Sequence, residues 1–173
     1  MDLKKAIRDI PDFPKPGIVF RDITTLLQHR EAFKFALDQL MQRYSGRDIT
    51  AVVGIESRGF IFGAPLASML GLPFVLIRKP GKLPAEVVSQ SYELEYGTDS
   101  IEIHKDALKK GDRVVIVDDL LATGGTAAAA AKLIESLGAE VDSFAFVVEL
   151  SFLKGRDKLK GYDVFSLTEY TSE

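Results

Sequence analysis

Short apolar runs without polar alternation recur along the chain, at residues 51–55 (AVVGI), 74–77 (FVLI) and 114–117 (VVIV). Runs of that length, rich in β-branched residues, predict strands buried on both faces, as in a parallel sheet. A further strand is expected over 141–149, and a last, edge strand over 163–167. Between them the period lengthens to that of helices. Residues 31–44 place Phe33, Leu37, Leu40, Met41 and Tyr44 on one face. An alanine-rich stretch to Ser136 carries Leu133, Ile134 and Leu137 inward and stops at Gly138. Near the start, Asp2 caps a short helix in which Leu3, Ala6, Ile7 and Ile10 share a face, and Pro11, Pro14, Pro16 and Gly17 lead from it into an irregular segment, 18–23. Residues 86–104 break the α/β rhythm. They alternate weakly, turn at Gly97-Thr98-Asp99 and alternate cleanly at 101–104, which predicts an inserted hairpin with a mobile polar tip. Residues 153–159 read as a basic turn or short helix.

One uncharged stretch, 59–77, approaches the ~20 residues that span a bilayer. Gly63, Pro65, Ser68, Gly71 and Pro73 punctuate it, so a helix closing at Gly71 followed by a strand is the better reading. No membrane segment, repeat or linker is expected, and the first 13 residues lack the apolar core of a secretory signal. With 173 residues, the chain suits one domain. A net charge of −3 and a pI near 5.5 give no basic field for nucleic acid. The absence of cysteine excludes disulfide and thiol chemistry and is compatible with a cytoplasmic location.

Candidate chemistry concentrates after the 114–117 run. Asp118 and Asp119 stand at its carboxyl end, and Ala122-Thr123-Gly124-Gly125-Thr126 turns into the alanine-rich helix. Glycines admit close approach and positive φ. Free amides before a helix N-terminus make a nest for a phosphate, to which Thr123 and Thr126 add hydroxyls. Carboxylates only accept hydrogen bonds or bind metal, so beside a phosphate they suit the hydroxyls of a ribose. The magnesium-holding strand of a P-loop NTPase is a rival, but it needs a G-x-x-x-x-G-K-[ST] loop that the chain lacks. A phospho-accepting aspartate leaves the Thr-Gly-Gly-Thr turn unexplained, and an ordinary polar tip does poorly against acids and glycines together.

Two more strand ends carry polar residues. Glu56-Ser57-Arg58-Gly59 follows the 51–55 run and can face the same crevice, since ligands of open α/β sheets sit beyond the carboxyl ends of strands. Arg58 reads either as a solvated arginine or as an anion ligand. Arg78, Lys79 and Lys82 follow the 74–77 run as a local basic patch, best suited to an anion such as pyrophosphate. By spacing alone Phe20 reads as a core residue, although an aromatic on a loop can also stack on a flat heterocycle. His29 and His104 read as structural or solvated.

The run 113–131 resembles the 5-phosphoribosyl 1-pyrophosphate (PRPP) motif of the type I phosphoribosyltransferases. With FPKPGIVFRDIT, ESRGFIFG, IRKPGKLP, YELEYG, IHKDAL and VELSFLKGR, nearly the entire chain resembles the adenine phosphoribosyltransferase family. The resemblance implies one phosphoribosyltransferase domain over 1–173. Its fold is α/β, an open, mainly parallel twisted sheet flanked by helices, with a small N-terminal base-binding segment (1–30) and a lid hairpin (80–104). It implies transfer of phosphoribosyl from PRPP to adenine with Mg²⁺, giving AMP and pyrophosphate. Mg²⁺ would be held mainly by PRPP oxygens and water rather than by a protein cage. Asp118 and Asp119 would hold the ribose hydroxyls, and Ala122, Thr123, Gly124, Gly125 and Thr126 the 5-phosphate. Glu56, Ser57, Arg58, Lys79 and Lys82 would serve pyrophosphate. Phe20 would stack on adenine between backbone groups of Val19 and Arg21. Glu95 and Tyr96, with Arg58 and Lys79, would be catalytic, Glu95 as the proton-transfer group. A homodimer, with no nucleic-acid or membrane partner, is also implied. The alternatives are a PRPP- or nucleotide-sensing regulator without catalysis, and an enzyme of the superfamily acting on another base.

Overall fold

The computed structural model describes residues 1–94 and 96–173. At its centre lie five strands, β3 (Ala51–Ile55), β4 (Phe74–Ile77), β7 (Arg113–Leu121), β8 (Glu140–Leu150) and β9 (Asp163–Tyr170). All neighbours pair in parallel, in the order β4-β3-β7-β8-β9. Strand β9 is an edge, as expected, and runs three residues beyond Leu167.

The unalternating apolar runs have a direct cause. Successive strand residues point to opposite faces, and both faces are covered. Val114 and Ile116 of β7 join one buried cluster, while Val115 and Val117 join the other. The helices α1 (Thr24–Gln28), α2 (Arg30–Tyr44) and α3 (Arg58–Leu70) pack on the second face. Helix α4 (Gly125–Ser136) covers the first, together with an antiparallel hairpin, β5 (Val87–Glu93) and β6 (Thr98–His104). Ile101 and Ile103 of that hairpin are 1% and 0% exposed. Its base is therefore part of the core. Pro65 lies inside α3, which ends at Gly71 in the left-handed conformation.

The amino-terminal segment departs from expectation. Asp2 does cap a helix, through Lys4 N–H, but it is a single 3-10 turn, Leu3–Ala6. Ile10 belongs instead to strand β1 (Arg8–Pro11), which pairs with β2 (Val19–Asp22) in the segment expected to be irregular. The four-residue turn of helix buries Leu3 and Ile7, and the Pro/Gly-rich stretch then reverses the chain into a ribbon. Asp22 is buried, and its carboxylate takes Thr24 N–H (2.9 Å) and Oγ1–H (2.8 Å) as it enters α1.

Candidate active site

Unequal strand lengths open the cleft. Strand β3 stops at Ile55 and β4 at Ile77, while β7 continues past its last pairing with β3 (Gly54 with Val117) to Leu121. Asp118 and Asp119 thus stand on a strand that is still paired with β8 (Asp118 with Phe146, Leu121 with Glu149), above the ends of its shorter neighbours. They were expected at the strand's end. The longer β8 supplies hydrogen-bonding partners that carry β7 four residues past Val117.

A cavity of about 440 Å³ fills the step, lined by Glu56, Ser57, Arg58, Arg78, Lys79, Tyr92, Asp118, Asp119 and Thr126 over a floor that includes Ile55, Ile77 and Ile101. A smaller one of about 90 Å³ adjoins it, formed by the 122–126 turn with Phe146 and sharing Asp118, Leu120 and Thr126. Two glycines make the close packing possible. A Cβ on Gly59 would fall 2.6 Å from the Val117 carbonyl oxygen, so α3 can start against β7 only with glycine there. Gly124 has φ +83°, and a Cβ would strike the carbonyl oxygen of Gly155. Gly155 in turn packs against the Ala122 carbonyl. This second support was not expected, because 153–159 reads as a basic turn or short helix with no tie to the site. A glycine facing a glycine-rich loop was the signal available.

Arg58 Nε donates to Asp119 Oδ2 at 2.5 Å. Burial and the adjoining Asp119 carboxylate push the Asp118 carboxyl well above its ordinary range. Glu56 accepts from Lys79 N–H (2.8 Å) and from the Arg78 guanidinium (3.3 Å). The Lys79 amide is the main cause of the lowered Glu56 pKa. The Glu56–Ser57 peptide is cis. Lys79 Nζ pairs with Asp99 and donates to Tyr92 Oη (3.3 Å). Burial works against the Lys79 ammonium, but Asp99 and Tyr92 outweigh it and raise its pKa. Tyr92 and Asp99 are cross-strand partners, a pairing that could be counted back from the Gly97 turn and was not.

The structure brings together Glu56, Ser57, Arg58, Lys79, Asp118, Asp119 and the 122–126 turn. It does not bring in every expected residue. Lys82 is exposed and lies outside the cavity lining, and Tyr96 is 83% exposed. Glu95 lies outside the described residues. Glu56 lines the cavity with its carboxylate oxygens engaged by the basic loop, Arg78 and the Lys79 amide. Phe20 is not a core residue: it is half-buried and packs edge-to-face on Phe13 at 5.2 Å. His29 Nδ1 accepts from Ala32 N–H, and His104 Nε2 from Ala85 N–H, both structural roles.

The chain's relatives share this arrangement of elements. The family model "Phosphoribosyl transferase domain" matches residues 23–171. An adenine phosphoribosyltransferase of Halothermothrix orenii is 60% identical over 98% of this chain and 99% of its own length. The chain belongs to the adenine phosphoribosyltransferase family. The crystal structure of the enzyme from Thermoanaerobacter pseudethanolicus superposes with a TM-score of 0.94 at 60% identity, covering 97% of this chain and 98% of that one. The Trypanosoma brucei enzyme, crystallised with AMP, pyrophosphate and ribose-5-phosphate, gives a TM-score of 0.89 at 28% identity, covering 96% and 78%. The open parallel sheet is thus the fold of the type I phosphoribosyltransferases, and no described helix is long and apolar enough to cross a membrane.

Proposed function

We propose that the joined cavities bind PRPP and that the chain transfers its phosphoribosyl group to adenine, giving AMP and pyrophosphate, in the cytoplasm. The observation that carries this reading is the continuity of the glycine-built turn at 122–126 with the acid-and-cation cavity through Asp118, Leu120 and Thr126. Spacing and chemistry suit a sugar with an anion at each end. Amides of the turn and the α4 N-terminus take the 5-phosphate. Asp118 and Asp119 accept from the ribose hydroxyls, which also relieves the crowding of two carboxylates. Arg58, the Ser57 loop and Lys79 receive the diphosphate. Val19 and Arg21 backbone groups read the base while Phe20 stacks on it.

Displacement of pyrophosphate leaves positive charge on the ribose ring and collects negative charge on the leaving group, so fixed cations at the diphosphate lower the barrier. Bound Mg²⁺ supplies further neutralisation there. No cluster of three or more potential metal ligands forms among the described residues, and oxygens of the diphosphate with water suit the ion as ligands. The hairpin within residues 80–104 is the lid in this reading, with Glu95 as the group that exchanges a proton with the base. A homodimer belongs to the same reading, supported by Leu76 on edge strand β4 and Met69 on α3, which are 38% and 40% exposed.

The test is direct: purified protein with adenine, PRPP and Mg²⁺ forms AMP, whereas a non-catalytic sensor binds PRPP and forms none. A 6-oxo purine presents an acceptor where adenine donates, a mismatch worth up to about 10⁴-fold. Hypoxanthine turned over as fast as adenine would overturn this discrimination.

A further inference from the structure

The base-reading strand is held from a direction that the active-site cavity does not include. Val19 and Arg21 lie opposite Pro11 and Asp9 in the β1–β2 ribbon. Pro11 has no N–H, and Val19 N–H turns away from it to Glu173 Oε2 at 2.9 Å. By the two-residue period, the N–H and C=O of Arg21 share that edge, which β1 leaves unpaired. Side chains alternate in the other sense, so those of Val19 and Arg21 lie on one face of the ribbon and that of Phe20 on the opposite face.

The Arg21 side chain is only 7% exposed, an unusual place for a guanidinium. Its charge meets Asp9 Oδ1 at 2.7 Å, its Nη2 donates to the Ser172 carbonyl at 3.2 Å, and its Cζ lies 4.2 Å from the centre of the Tyr170 ring. Lys4 Nζ sits over the same ring at 4.9 Å. Tyr170 closes β9 and is fixed in turn by register with Leu150 and by Ser151 Oγ–H on its carbonyl. Burial raises the pKa of its phenol, so the ring stays neutral. A buried cation held by a ring, a carbonyl and one half-exposed acid costs desolvation that a small apolar residue would avoid.

We infer that the Arg21 side chain and the Tyr170 ring form a positioning pair, which clamps the ribbon to the end of the central sheet so that Phe20 and the free edge of β2 are presented to the base at a fixed distance from the ribose site. This rests on the adenine reading above. It extends that reading from Arg21's backbone to its side chain, and to a residue of β9 that touches no substrate. The clamp acts on the base alone, because the phosphate turn and both acids hang on β7 and α4.

The full-length chain with Tyr170→Ala, Tyr170→Phe or Arg21→Lys tests it, using calorimetric titration of AMP and of ribose 5-phosphate beside steady-state kinetics. Tyr170→Ala is expected to weaken AMP and raise KM for adenine roughly tenfold. Ribose 5-phosphate binding, KM for PRPP and kcat at saturation should stay within about twofold. Tyr170→Phe keeps the ring and should restore both adenine values. Arg21→Lys, which keeps charge but loses the planar fork, should fall between. Equal weakening of AMP and ribose 5-phosphate, or no change in either, overturns the pair. So does failure of Tyr170→Phe to rescue. If Tyr170→Ala is unfolded at the assay temperature, Arg21→Lys decides by the same two titrations. A wild-type chain that makes no AMP from adenine would instead overturn the adenine reading itself.

Discussion

Two strand-to-helix junctions meet at the cleft, and they prepare for anions by different means. After β7, the 122–126 turn offers backbone: amides freed by glycine, with Gly124 at φ +83° and Gly155 pressed behind it. After β3, residues 56–58 offer side chains that are already paired, Arg58 with Asp119 and Glu56 with Arg78 and the Lys79 amide. A neutral amide nest is preorganised and need not rearrange when phosphate arrives. A charged junction is stabilised beforehand by internal partners, so on the proposed reading diphosphate would have to exchange with those pairs. The first site is suited to a group that stays attached throughout, the second to one that leaves.

The comparison is broken most severely at Gly124. Gly124→Ala forces a β-carbon onto the Gly155 carbonyl in a left-handed backbone. We expect about 3 kcal/mol of lost stability in urea unfolding and more than a roughly hundredfold loss in kcat/KM for PRPP. Asp118→Asn separates binding from stability. Because burial and Asp119 raise the Asp118 pKa, the folded state disfavours its charge, and this carboxyl's contribution falls as pH rises through its folded value. The variant should therefore melt at a higher temperature at pH 7 while losing about a hundredfold in activity. A lower melting point would mean that the acid pair is not strained without ligand.

Lys79→Met tests the paired junction. It removes a cation from the diphosphate side and frees Asp99 and Tyr92 of the hairpin, so KM for PRPP should rise about tenfold with little change in melting temperature. The smallest effect is expected at Asp22, in the turn from β2 into α1. The Thr24 hydroxyl and N–H, then Arg8, hold Asp22 at a pKa of about 2 against the usual 3.8. Its stabilisation is present above pH 3.8 and is lost as pH falls through about 2. Asp22→Asn should cost of order 1 kcal/mol at pH 7. Urea midpoints of wild type and variant should converge near pH 2.

The β7–α4 junction was legible because every part of it is local. An apolar run, two acids, two glycines and an alanine helix follow one another within 19 residues, 113–131. Strands β3 and β4 were placed at their observed ends for the same reason, as was the stop of α3 at Gly71. The amino-terminal ribbon was misread because its apolar residues, Leu3 and Ile7, satisfy a helical spacing over too short a span, and Ile10 was counted with them. Only the pairing of β1 with β2, across a Pro/Gly-rich turn, overrides that spacing. By spacing alone Phe20 reads as a core residue, yet it is half-buried in a two-stranded ribbon and packs edge-to-face on Phe13.

The residue pattern by itself determined the elements of the sheet, the two-sided burial of its strands and the phosphate turn. Each of those depends on neighbours within one strand or one turn. Tertiary structure decided where the acids stand, because the step between β3 and β7 comes from strands of unequal length meeting in register. It also decided that Arg58 answers Asp119, that Lys79 answers Asp99, and that Arg21 is buried on Tyr170, 149 positions along the chain (170 − 21 = 149). A charge's partner is set by distance in space, and no spacing along the chain encodes that.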